Sequence, residues 1–247
     1  MIASLMMYAR PELAAAHDRY WAALREALAN RGTRSPAQLS NDADALTVWR
    51  APDLVLSQTC GMPYRLWLHD EVSLIGTPDY GVPGCAPGQY RSALVVRADD
   101  PRDTLADFAT ARLAFNAPHS QSGFAAAYAA AQRAGFWFDE RVETGAHQAS
   151  ARAVAEGRAD IAALDAVTWA LIQRHDAFAA SLRVLDWTQP TPGLPYIAAR
   201  TADVPNTRAA VADAISALCD GDRDALMLRG FAQIPKADYL AVPNPPM

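Results

Sequence analysis

Lysine is almost missing from this chain: it occurs once in 247 residues, at Lys236. No segment gathers Lys and Arg into a cluster, and the formal charge is −5. Binding to nucleic acid draws on such a basic field, so no nucleic-acid partner is expected. Cysteine is scarce as well. Cys60, Cys85 and Cys219 are spaced too widely for a zinc pattern or a disulfide framework. No apolar run approaches the roughly 20 residues of a membrane span, which excludes membrane insertion by a helix. Residues 1–7 are apolar but have no basic leader before them. They read as a first strand, so the chain as given is expected to carry no secretory leader and to be cytoplasmic if that start is native. No fixed-period repeat and no cofactor motif is present, and no cofactor is expected.

What remains is the composition of an ordinary globular protein, 51% hydrophobic and 20% charged. The length suits one large domain or two lobes of roughly 100 residues each. Strand-like and helix-like segments alternate. Residues 2–7, 53–57, 72–75, 92–97, 112–115, 141–143, 160–164, 182–185 and 196–199 read as strands. Helices are expected over about 11–31, 122–134, 148–156, 166–175, 207–218 and 222–228. Residues 76–88 read as a loop rich in Pro and Gly, and residues 242–247 as a loose extension. The alternation predicts an α/β protein whose mostly parallel sheets are covered by helices. The breaker-rich stretches near 76–91 and 188–195 suggest that the chain crosses between lobes there. The expected division is 1–91 plus 190–247 for one lobe, and 92–189 for an inserted second lobe.

In parallel sheets, ligands bind beyond the carboxyl ends of the strands. Polar residues stand at these junctions. Tyr8 follows the first strand. Ser57, Gln58, Thr59 and Cys60 follow the second. Asn116 to Gly123, including Ser120, Gln121 and Ser122, follow the strand ending at Phe115. His147 and Asp165 follow two later strands. Ser120-Gln121-Ser122-Gly123 opens a helix, where first-turn N–H groups and small hydroxyls suit an anion. Ser120 or Ser122 could equally be a plain N-cap, and Asp165 the cap of the helix after it.

The same residues carry a family resemblance. Leu56 to Gly61, Tyr90-Arg91-Ser92, Asn116 to Gly123, Gly145-Ala146-His147 and Gly157 to Asp165 resemble the phosphate/phosphite/phosphonate substrate-binding proteins of ABC transporters, of the type II periplasmic-binding fold. The resemblance implies two lobes joined by a two-strand hinge, with a small oxyanion held in the crevice between them. Ser120, Gln121 and Ser122 would hold the anion, and Tyr8, Ser57, Gln58, Thr59, Cys60, Tyr90, His147 and Asp165 would surround it. The partners it implies are a small anionic ligand and an ABC permease or a sensor protein, in the periplasm. Two other readings compete. Cys60, His147 and Asp165 could act as nucleophile, base and orienter, or serve a pyrimidine-precursor site of the kind the same fold hosts. A buried Cys is more often a small hydrophobe, so an enzyme is not expected. A ligand-sensing regulatory module would need a partner, since no DNA-binding segment is evident.

Overall fold

The computed structural model describes residues 1–246, which divide into two compact units. The first comprises Met1–Gln89 and Pro192–Ala241, and the second Tyr90–Thr191 with residues 242–246.

The first unit opens with β1 (Ile2–Ser4), followed by α1 (Ala14–Ala29), α2 (Ala45–Trp49), β2 (Leu54–Gln58), α3 (Gly61–Pro63) and β3 (Val72–Asp79). In α1 the apolar positions Ala16, Tyr20, Trp21, Leu24, Ala27 and Leu28 make one buried stripe. The helix stops at Gly32, whose φ of 75° permits the left-handed turn that returns the Thr33 N–H to the Leu28 carbonyl at 2.9 Å. Asp44 caps α2 by accepting from the Thr47 N–H at 2.9 Å.

The chain crosses to the second unit through β4 (Gln89–Tyr90) and continues as β5 (Ser92–Arg97), β6 (Leu113–Phe115), α4 (Ala126–Arg133), β7 (Arg141–Glu143), α5 (His147–Ala155), β8 (Ile161–Asp165), α6 (Ala166–His175) and β9 (Leu182–Trp187). It returns through β10 (Thr191–Pro192), which pairs with β4 as a two-stranded ribbon. The first unit is then completed by β11 (Tyr196–Ala199), α7 (Val204–Ala217), α8 (Asp220–Ala225), β12 (Gly230–Ala232) and α9 (Lys236–Leu240).

Each unit has a five-stranded sheet, ordered β1-β2-β11-β3-β12 in the first and β7-β6-β8-β5-β9 in the second. The α/β architecture is the expected one, but the sheets are mixed rather than mostly parallel. β11 is antiparallel to both β2 and β3, and β12 is antiparallel to β3. In the second unit β5 is antiparallel to β8 and β9, while β6 runs parallel to β7 and β8. In the first sheet three strands therefore point one way and two oppose them, whereas in the second β5 alone opposes the other four.

The second sheet is covered on both faces, which explains why β5 and β8 are apolar without alternation. Ala93 and Val95 pack with Leu164, Trp169 and Ile172 on one side. Leu94 and Val96 pack with Phe108, Leu113, Phe138 and Ile161 on the other. Burying each of the larger side chains stabilises the unit by about 1.5–3 kcal/mol. The core of the first unit gathers Trp49, Leu54, Tyr64 and Leu68 with Ile197 and Tyr239, so it needs both of that unit's chain segments.

Several expected boundaries move. The first strand ends at Ser4 rather than residue 7, because the Leu5 N–H turns to Asn41 Oδ1 at 2.8 Å and Met6–Tyr8 coil into a 3-10 turn. The strand expected over 72–75 runs on to Asp79, into the stretch read as loop. Its extra residues are paired by β12, which arrives from near the carboxyl end of the chain. The expected loose extension is in part seated: Pro245 is buried, while Met247 lies outside the described residues.

Candidate functional site

In the second unit the carboxyl ends of β6, β7 and β8 and the start of β5 lie on one edge. Beyond β6 the chain turns through Asn116 to Ser120, and Ser120 caps the next helix. Its Oγ accepts from the Gly123 N–H at 3.0 Å. The first turn, Gln121–Ala125, is a wide π-type turn before α4 begins. Such turns recur at functional sites. Ser120, Gln121 and Ser122 are all buried. At a helix start the first N–H groups have no partner within the helix, and the helix dipole is positive there.

Ser122 organises this edge. Its Oγ lies 2.8 Å from His147 Nε2, the imidazole of the first residue of α5. The Ser122 carbonyl accepts from Ser92 Oγ at 2.9 Å. Ser92 stands directly opposite Asp165 in the sheet, and its N–H donates to Thr188 Oγ1 at 2.9 Å. Gly123 has to be glycine here. A Cβ would collide with the Asn116 side-chain oxygen and stand 3.2 Å from His147 Cε1. Asn116 Oδ1 is cut off from water and has no hydrogen-bond partner in the protein.

His147 is neutral. Burial pushes its pKa down to about 4, against a weaker opposite pull from the Ala163 carbonyl. The residue is half-buried, and Nδ1 is shielded from solvent. The donor set is thus hydroxyls, a neutral imidazole and helix N–H groups. The Arg91 guanidinium, between Tyr90 and Ser92, stacks on the Trp187 ring at 4.4 Å. Such a set suits a small oxyanion, which gains from directed donors without a neutralising cation.

Asp165 is buried at the end of β8, and its Oδ1 accepts from the N–H groups of Val167 and Thr168 at 2.8 and 3.1 Å. It is the N-cap of α6, one of the two roles that its position allowed. No hydrogen bond joins it to His147, whose partner is Ser122. The base–orienter pair that an enzyme of the Cys60–His147–Asp165 kind requires is therefore not formed. Tyr90 is buried on β4.

The first unit presents its own polar edge. Ser57 and Gln58 close β2 and are fully buried, as is Thr59. Ser57 Oγ has no hydrogen-bond partner in the protein. The Gln58 carbonyl accepts from Trp49 Nε1 at 3.1 Å, and its side-chain amide donates to the Leu194 carbonyl at 3.1 Å and to the Tyr80 hydroxyl at 3.2 Å. The Thr59 N–H donates to the Pro195 carbonyl at 3.0 Å. Cys60 is half-buried at the start of α3. Tyr8 meets Tyr80 edge to face with ring centres 5.0 Å apart. Tyr8 and Gln58 are thus joined through Tyr80, and Ser57, Thr59 and Cys60 follow along the same turn.

Residues that the sequence reading left out also shape these edges: Ser92, Asn116 and Thr188 in the second unit, and Tyr80 and Tyr196 in the first. Asn116 stood in the motif and was passed over for its hydroxyl neighbours. Tyr80 directly follows β3, and its signal was lost because that strand was read as ending at residue 75. Among the described residues no group of three His, Cys, Asp or Glu side chains gathers as metal ligands, and no helix is long and apolar enough to cross a membrane.

Comparison with solved structures finds the same fold in several proteins. The binding-protein component of an ABC phosphonate transporter from Pseudomonas aeruginosa superposes with a TM-score of 0.71 at 18% identity, over 97% of this chain and 82% of that one. PhnD1 from Prochlorococcus marinus, in complex with methylphosphonate, gives 0.69 at 16% identity, over 96% and 93%. MatC from Rhodopseudomonas palustris, with bound malate, gives 0.64 at 14% identity, over 98% and 92%. A comparison with curated proteins finds no match. The family described as ABC transporter, phosphonate, periplasmic substrate-binding protein matches residues 56–239, which take in both polar edges apart from Tyr8. This chain therefore belongs to the family of periplasmic substrate-binding proteins of ABC phosphonate transporters.

Proposed function

We propose that this chain captures a small phosphorus oxyanion, phosphite or a phosphonate, and delivers it unchanged to an ABC permease in the periplasm. Ser120, Gln121, Ser122 and His147 hold the anion, and Tyr8, Tyr90 and the turn from Ser57 to Cys60 supply the remaining contacts. The observation that carries the reading is the 2.8 Å contact between Ser122 Oγ and His147 Nε2 at a buried helix start. A neutral imidazole beside a hydroxyl can pass a donated hydrogen bond on to an oxyanion, and the helix end adds the positive potential. Selectivity then rests on geometry rather than on charge. A binding role without turnover is supported by the capping role of Asp165 and by the partner that His147 does have.

Titration calorimetry with phosphite and methylphosphonate tests the reading. Ser122→Ala and His147→Ala should each weaken binding by at least tenfold, since a charge-assisted hydrogen bond contributes about 1.5–3 kcal/mol. Far-ultraviolet spectra should be unchanged. Undiminished affinity in both variants would overturn the assignment.

A further inference from the structure

Ser92 opens β5, ahead of the apolar run Ala93 to Val96, and is 1% exposed. A hydroxyl carried into such a place is destabilising unless it meets an acceptor, and an alanine would avoid that cost. The acceptor here is the Ser122 carbonyl at 2.9 Å.

That carbonyl belongs to the wide turn before α4, in which the Ala126 N–H reaches back to the Gln121 carbonyl. The Ser122–Gly123 peptide group is held at both ends. Its C=O accepts from Ser92 Oγ at 2.9 Å, and its N–H donates to Ser120 Oγ at 3.0 Å. A peptide unit is planar, so two such bonds fix its orientation. The Ser122 side chain then leaves the backbone in a set direction, and its Oγ meets His147 Nε2 at 2.8 Å.

Ser92 is itself anchored. Its N–H donates to Thr188 Oγ1, and its carbonyl accepts from the Thr188 N–H, both at 2.9 Å. Ser92 lies just after the chain enters the second unit, and Thr188 just before it leaves. Beside Ser92, the Arg91 carbonyl accepts from the Ala166 N–H at 3.1 Å, at the start of α6. The entering segment, the leaving segment and the Ser122 turn thus meet through one buried hydroxyl, all within the second unit.

We propose that Ser92, anchored by Thr188, is a positioning residue for the anion: its hydroxyl sets the Ser122 hydroxyl against His147. Its one hydroxyl proton goes to the Ser122 carbonyl, so Ser92 acts through Ser122. The inference rests on the phosphorus-oxyanion reading above and adds to it the residues that govern its strength.

Calorimetry with phosphite and methylphosphonate on the full chain tests it, together with nitrogen NMR spectra of the His147 ring in the ligand-free chain. Ser92→Ala should weaken binding about fivefold and move the Nε2 resonance. In a Ser122→Ala background the same substitution should weaken binding by less than about twofold more, because the side chain it positions is gone. Thr188→Val keeps the shape and removes the anchor, so it should also weaken binding. Thr188→Ser keeps the hydroxyl and should stay within about twofold of the parent. A Ser92→Ala loss that multiplies in full with that of Ser122→Ala overturns the positioning role, as does an unmoved Nε2 resonance in folded Ser92→Ala. If Ser92→Ala melts too low to titrate, equal affinities in the two Thr188 variants overturn it instead. If the parent chain binds neither compound, the oxyanion reading fails, and the Nε2 resonance of the ligand-free variants still decides the positioning role.

Discussion

His147 shows how burial sets the chemistry of a single side chain. An imidazole in water titrates near 6.5, and here desolvation moves the value to about 4. The sign of the consequence follows. On acidification the unfolded chain takes up the proton first, so acid favours unfolding. The stabilisation is complete above about pH 6.5 and is lost as the pH falls towards 4. The full shift corresponds to at most about 3 kcal/mol. Thermal melts of the ligand-free protein should therefore show Tm falling over that window, and His147→Gln should flatten the fall. His17, lowered in the same direction, contributes a remainder of the same sign. A His147→Gln profile that overlays the parent would contradict the buried, neutral imidazole.

At the scale of elements, the two polar edges are built from helix starts. Ser120 and Asp165 both cap, each accepting from first-turn N–H groups of the segment that follows. Asp165 accepts two N–H bonds at the start of α6, so Asp165→Ala should destabilise the protein by about 1–2 kcal/mol, measured by denaturant unfolding. Asp165→Asn keeps an acceptor and should retain most of that stability, with phosphonate affinity within threefold of the parent. A loss of binding without a loss of stability in the Asn variant would give Asp165 a direct ligand role instead. Strand direction matters as much as capping. Ser92 and Tyr196 begin strands rather than end them. They still stand at the polar edges, because β5 and β11 run against β8 and β2. A search confined to carboxyl ends of strands passes over both.

For the whole molecule, the division of the chain makes the units unequal in autonomy. The second unit is a nearly continuous segment with cores on both faces of its sheet, and all of these core residues lie between 90 and 191. The first unit joins β1, β2 and β3 to strands and helices from beyond residue 192, and Tyr239 packs against Tyr64 with ring centres 5.3 Å apart. A fragment spanning 90–191 should therefore unfold cooperatively by circular dichroism. The fragment 1–89 should not, since it lacks the central strand β11.

The amino-acid sequence by itself determined the α/β class, most of the order of strands and helices, and the position of the Ser-Gln-Ser-Gly helix start. Those features are local: apolar periodicity, Gly and Pro breakers, and a Ser-Gln-Ser-Gly helix start are written within a few residues of each other. Tertiary structure decided the rest. β3 reaches Asp79 only because β12 pairs with it, and that extension sets Tyr80 at the edge. Tyr8, Tyr20, Tyr80 and Tyr196 are far apart in the chain and form one cavity only when β11 is placed between β2 and β3. Hydrogen-bond ladders between distant segments have no local signature. A strand's neighbours, and with them the walls of a cavity, are settled only when the sheet assembles.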